Sequence, residues 1–207
     1  MLRFARYSAG SVFRAQVAEL VDALRSGRSD LTVVEVRVLS WHQLLFPISP
    51  NRCGETQMVQ LRPILENELT LASQLCLRSK GYWGYDDAFL EACKRELTLT
   101  EEDMKRDPII VAEDERGMAG VAHVFFDESG CYLDKLFVDT DRIGQGIGQV
   151  LFKWSVSTAR DLGAKELIIE ADPGAAPFYE KMGCIIAGQA TSGSVEGRVL
   201  PRLIFRL

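Results

Sequence analysis

The chain has 207 residues, room for one domain or a domain with an appendage, and 47% of them are apolar, ample for a core. A formal net charge of −5 argues against a general nucleic-acid binder, and no apolar run reaches the roughly 20 residues of a membrane span. The 5 cysteines, Cys53, Cys76, Cys93, Cys131 and Cys184, lack metal-ligand spacing, so no metal is expected, and an odd, scattered set suits a reducing cytoplasm.

Residues 1–57 differ from the rest. Up to Arg14 there are arginines and no acids, superficially like a transit peptide. Val17 to Leu24 resembles the conceptual translation of the D-arm of a leucine tRNA gene. Val36-Arg37-Val38-Leu39 resembles that of its T-arm, and the tRNA-like stretch runs from about 14 to 46. The resemblance implies a reading frame opened too early, with Met58 the true start and 1–57 a non-native extension, disordered or poorly packed. The other reading is an ordinary helix over 17–24 and an ordinary strand over 31–39.

From Met58 the chain reads as one α/β domain, 58–207. Residues 58–61 alternate as a first strand, closed by Arg62-Pro63. Apolar residues at 65, 69, 71, 72, 75 and 76 predict a helix over 64–78, ended by Gly81. Tyr82-Trp83-Gly84-Tyr85 makes an aromatic turn, and Asp86 can cap a second helix over 87–97. Thr100 with Asp103 is a near capping box for a short third helix. Strands are expected over 109–112, 118–126 and 131–138, separated by polar turns rich in glycine and acids. A buried-type strand over 165–170 follows the long helix, and 184–187 and 199–205 supply the last two.

The stretch from Leu133 to Leu162 organises the chain: apolar strand, glycine turn, amphipathic helix. Gly144, Gly146 and Gly148 let the backbone approach a ligand closely. They stand where a helix begins, so several N–H groups lack an intrahelical partner and face the positive end of the dipole. The turn reads as phosphate-holding; the other reading is a plain glycine-rich connection between a strand and a helix. It lacks the Gly-Lys-Ser/Thr of a Walker loop, and Gln149 stands where a dinucleotide fingerprint needs its third glycine.

The turn resembles the acyl-CoA signature of the GNAT superfamily of N-acyltransferases, Val-x-Pro then Arg/Gln-x-x-Gly-x-Gly/Ala. Val138, Gly146 and Gly148 match, with Ile147 in the aliphatic slot; Thr140 replaces the proline and Ile143 the Arg or Gln. A second match lies downstream, where Asp172, Ala175, Phe178, Tyr179 and Gly183 resemble Asn-x-x-Ala-x-x-Phe/Leu-Tyr-x-x-x-Gly. Ser79, Lys80, Trp83-Gly84-Tyr85, Gly197-Arg198 and Leu200-Pro201 match elements of a bacterial subfamily. The resemblance covers 58–207. It implies a mixed, mostly antiparallel sheet of six to seven strands flanked by helices.

It also implies an acetyltransferase that takes acetyl-CoA as co-substrate, with Leu136, Phe137, Val138, Ile143, Gly144, Gln145, Gly146, Ile147, Gly148, Asp172, Ala175 and Phe178 on the CoA side. The acceptor is a primary amine of a small molecule or peptide, attacked directly with no acyl-enzyme. Tyr179 matches the general acid for the CoA sulfur; the other reading is a core tyrosine. Asp134 and His123 are candidate bases, and each also reads as an ordinary strand side chain. Trp83 and Tyr85 fall where the family builds a wall of the acceptor groove, or plug two helices. Arg198 binds a substrate carboxylate or is a surface charge. A non-catalytic acyl-CoA sensor is the alternative function, and homodimerisation stays open.

Overall fold

The computed structural model describes residues 58–207, and the backbone of 44–47. The expected helix over 17–24, the strand over 31–39, most of the tRNA-like stretch and Cys53 lie outside the described residues. Eight strands form one sheet: β1 (Leu44–Pro47), β2 (Met58–Pro63), β3 (Ile109–Asp114), β4 (Gly117–Asp127), β5 (Gly130–Val138), β6 (Glu166–Glu170), β7 (Ile185–Thr191) and β8 (Val199–Arg206). Their order is β1-β2-β3-β4-β5-β6-β8-β7. Only β5 and β6 run parallel; every other neighbouring pair is antiparallel. The expected mixed sheet is therefore present, with β1 as an additional edge strand on β2.

Helices cover both faces: α1 (Leu69–Gly81), α2 (Asp87–Leu97), α3 (Glu101–Arg106), α4 (Ile147–Asp161) and α5 (Ala176–Lys181). The alternation along β3 explains the two layers. Ile109 and Val111 join the core under α1 and α2, with Leu75, Cys76 and Leu97. Ile110 and Ala112 point the other way, to Ile147 and Leu151 of α4. A third cluster, around Phe152, Val156, Leu167 and Leu203, closes α4 and α5 against β6 and β8. Among the described residues no helix is long and apolar enough to cross a membrane.

The first helix starts later than its periodicity suggests. Residues Glu66–Glu68 form a 3₁₀ turn, and Leu65 and Leu71 are exposed. The cause is local: Glu68 accepts from the Leu65 N–H at 3.0 Å and is held by Arg62 at 2.7 Å, which fixes the entry turn. The other caps form as expected. Asp86 accepts from the Phe89 N–H at 2.8 Å, and Thr100 and Asp103 close a reciprocal box.

Candidate active site between the splayed strands

β5 and β6 meet at a single aligned pair, Tyr132 and Ile168. Beyond it β5 runs on through Leu133–Val138 with no partner on the β6 side, so the strands part toward their carboxyl ends. Such a crevice is where open sheets receive ligands. Leu136, Phe137 and Val138 stand along it, half-buried.

The turn from β5 into α4 sits at the mouth of the crevice. Within it the Ile143 and Gln145 N–H groups are spent on Thr140 and Arg142 carbonyls, at 3.5 and 3.3 Å. The N–H groups of Gly144, Gly146, Ile147 and Gly148 make no hydrogen bond to any described residue. Gly144 and Gly146 have φ of +84° and +91°, the left-handed region that a side chain would strain, and Gly146 is the N-cap of α4. Four unpaired amides at the head of a 15-residue helix form a cradle for an anion such as a diphosphate. No side chain replaces the missing Arg or Gln at Ile143, which is exposed. A Cβ at Gly148 would meet the Phe178 ring at 3.4 Å, an ordinary van der Waals contact.

The cradle is braced from below. Arg142 is buried, and its Nε and Nη2 donate to the two Asp114 oxygens at 2.9 and 3.4 Å. Arg78 holds Asp139 at 2.9 Å. Burial pushes the Asp114 carboxyl up, but the hydrogen bonds from Arg142 and the Arg116 N–H outweigh it and hold it below the usual value.

Tyr179 lies on α5 among Phe152 and Phe178, with ring centroids 5.9 and 5.0 Å away. It is 6% exposed, yet its hydroxyl makes no hydrogen bond to any described residue. The oxygen itself is not sealed off, since among the described residues the one buried side-chain nitrogen or oxygen without a partner is Gln145 Oε1. Burial pushes its pKa well above the ordinary tyrosine value, so the hydroxyl keeps its proton.

A cleft of about 260 Å³ is lined by Tyr132, Leu133, Asp134, Glu170, Thr191 and Glu96, among others. Asp134 reaches it through a bulge. His123 pairs with Lys135 and Val124 with Leu133, so Asp134 is the extra residue of its strand. Its Oδ2 accepts from Lys135 Nζ at 2.5 Å and lies 2.9 Å from His123 Nδ1. Oδ1 has no partner. Burial raises the Asp134 pKa, but the His123 hydrogen bond and the Lys135 charge win and bring it down to about 2. The carboxylate is therefore ionised at neutral pH. His123 is 2% exposed, and its other nitrogen faces Asp107, a buried residue that sequence reading passed over.

Tyr85, Arg198 and Asp172 meet one another elsewhere, and Trp83 lies against Gly174, in the same loop as Asp172. Asp172 Oδ2 accepts from Lys80, Tyr85 and Arg198, each at 2.9 Å, and Oδ1 from the Gly174 N–H at 3.1 Å. Arg198 also lies 4.7 Å from the Phe89 ring centroid, on which Tyr85 stacks at 4.0 Å. The carboxylate that Arg198 grips is thus the chain's own. None of Trp83, Tyr85 and Arg198 lines the cleft. They tie the α1–α2 turn to the β6–α5 loop, where Ala175 packs against the core.

The family description "Acetyltransferase (GNAT) domain" matches residues 73–192. A search of curated proteins gives no match. Among solved structures, the PaiA N-acetyltransferase of Thermoplasma acidophilum, in complex with coenzyme A, aligns with a TM-score of 0.61 at 16% identity, over 72% of this chain and 99% of that one. A GCN5-related N-acetyltransferase from Rhodopseudomonas palustris aligns with a TM-score of 0.59 at 19% identity, over 80% and 99%. The ribosomal-protein-S18-alanine N-acetyltransferase of Escherichia coli aligns with a TM-score of 0.53 at 18% identity, over 72% and 94%. The fold is shared with these enzymes, and the family match spans more than half of the sequence, so the chain belongs to the GNAT acetyltransferase family.

Proposed function

We propose that this protein transfers an acetyl group from acetyl-CoA to a primary amine by direct attack, in the cytoplasm. The observation that carries the reading is the set of unpaired amides at Gly144, Gly146, Ile147 and Gly148, at the mouth of the one pair of splayed strands. They hold the diphosphate of CoA, and the pantetheine arm runs along the free edge of β5 past Leu136, Phe137 and Val138. The four described cysteines are buried and free, in keeping with a reducing compartment.

The amine enters from the Asp134 cleft. That lining holds Glu96, Asp134 and Glu170 and neither lysine nor arginine, which favours an acceptor arriving as a cation. Asp134 Oδ1 takes the ammonium by a charge-assisted hydrogen bond and orients it. An ammonium has no lone pair, so one proton leaves to solvent before attack; with a pKa of about 2 the carboxylate is too weak a base to take that one, and it accepts the second proton as the neutral amine forms the C–N bond and the nitrogen becomes acidic. Tyr179 donates its hydroxyl proton to the leaving sulfur. Holding thioester and amine together supplies much of the acceleration. No acyl-enzyme is involved.

Calorimetry of the full chain with CoA tests the cradle, and thiol release from acetyl-CoA over a panel of small-molecule and peptide amines tests turnover. No heat with CoA overturns the whole reading. Heat without turnover on any amine leaves an acyl-CoA sensor, the reading favoured by the missing Arg or Gln at Ile143.

A further inference from the structure

We infer that Asp107 is a positioning residue for acetyl transfer, acting on Asp134 through His123. The inference rests on the reading of Asp134 as the group that receives the acceptor amine.

The geometry is a chain of three side chains, two of them buried and the third, Asp134, open to solvent. Asp134 stands at the bulge with Oδ1 free and Oδ2 2.9 Å from His123 Nδ1. The opposite ring nitrogen, Nε2, lies 3.1 Å from Asp107 Oδ2. The His123 and Asp107 side chains are 2% and 3% exposed, so water does not compete for the contact between them. Asp107 is itself pinned. It caps α3 with its N–H on the Asp103 carbonyl at 2.8 Å, Arg106 Nε donates to its Oδ2 at 2.9 Å, and the Pro108 carbonyl accepts from the Val124 N–H at 3.1 Å.

An ionised carboxylate only accepts hydrogen bonds, and an imidazole rotates about its side-chain torsions unless both ends are held. Asp107 fixes the far end of the ring. Two carboxylates, which only accept, face the ring, so both nitrogens carry a proton: Nε2 donates to Asp107 and Nδ1 to Asp134 Oδ2, which leaves Oδ1 to the cleft. The logic is that of any base oriented by a third group. Lys135 also holds Oδ2, so the carboxylate remains ionised without Asp107 but loses its fixed direction.

Asp107→Asn keeps the size and removes the charge. Its expected effect is a 10- to 100-fold fall in kcat, below the roughly 10²- to 10⁴-fold of a group that moves the proton itself. The KM for acetyl-CoA stays within about twofold, because the cradle lies in the turn that follows β5 and none of the three side chains belongs to it. A residue that only stabilised the fold would not show the decisive result, which is a double-mutant cycle. In a His123→Gln background, Asp107→Asn costs nothing further in kcat. Additive losses, or an equal loss of acetyl-CoA affinity, overturn the proposal.

A second measurement needs neither turnover nor a variant. In the wild-type protein the ring N–H of His123 facing Asp107 gives a proton NMR signal protected from exchange with water. Its absence overturns the proposal even if Asp107→Asn fails to fold. A protein that shows the signal and acetylates no amine refutes the enzyme reading and leaves the Asp107 contact standing.

Discussion

Trp83 lies directly on the backbone of Gly174. A methyl group built at Gly174 would sit 2.5 Å from the indole, closer than any real Cβ contact. Gly174 does not need a positive φ, so its reason is space alone. Gly174→Ala therefore pushes the indole off the β6–α5 loop, at a cost of about 1–3 kcal/mol by overpacking. Chemical denaturation with tryptophan fluorescence reads it. Trp83→Ala in the same background recovers most of the loss, and purely additive losses would show that the two residues do not touch.

How much of this was legible in the sequence follows chain separation. The Asp86 cap and the Thr100–Asp103 box span three residues and were plain. So was the glycine turn, because its chemistry is backbone chemistry. Ile143 and Gln145 belonged to the expected cradle, but their N–H groups close the turn internally, a detail set by the 3₁₀ geometry of Thr140–Arg142. The Asp172 knot joins residues 92 and 26 positions away, and nothing local marks Lys80, Tyr85 or Arg198 as partners of one carboxylate. Asp107 looked like the polar end of a helix before Pro108. Its burial against His123 depends on the antiparallel pairing of Ile109 with His123, which only the folded sheet supplies.

The Arg142–Asp114 pair sets the cradle. Both groups are buried, so removing Asp114 leaves Arg142 only Asp139 at 3.9 Å, at up to about 3–5 kcal/mol. Asp114→Ala is expected to lower stability by that order and to raise the KM for acetyl-CoA at least tenfold, with kcat at saturation little changed. Calorimetry with CoA checks the affinity. Unchanged CoA binding in a folded variant would show that the turn holds its shape unaided.

The Asp172 knot has a definite acid signature. Burial raises its pKa, but the hydrogen bonds from Lys80, the Gly174 N–H and Tyr85 prevail and hold it below the ordinary value of about 3.9. A carboxylate depressed on folding contributes stability that is complete above the unfolded value and is lost as pH falls through the folded one. The wild-type protein should thus lose this contribution below about pH 4, where unfolded carboxylates begin to protonate. Asp172→Asn is expected to cost roughly 2–4 kcal/mol at pH 7, since Lys80 and Arg198 keep their charges with little solvent. The difference from wild type shrinks as pH drops. Denaturation series at pH 7 and pH 3 measure it, and a constant difference would contradict the assignment.

Tyr179 gives the sharpest test of the chemistry. Its hydroxyl has no partner among the described residues, so Tyr179→Phe should leave stability within about 1 kcal/mol. As the proton donor to sulfur it should cost kcat roughly 10²-fold or more, with acetyl-CoA affinity unchanged. The pH profile adds a sign. Burial favours the neutral phenol, so its loss of a proton moves upward from the ordinary value of about 10. No alkaline fall in kcat from this group is expected between pH 7 and pH 10, and whatever rises in that range comes from the acceptor amine shedding its own proton. A series of amines of graded basicity separates the two: the ascending limb shifts with the amine, and no descending limb appears that Tyr179→Phe removes. A Phe variant with wild-type kcat would return Tyr179 to the core and leave the sulfur to be protonated by water.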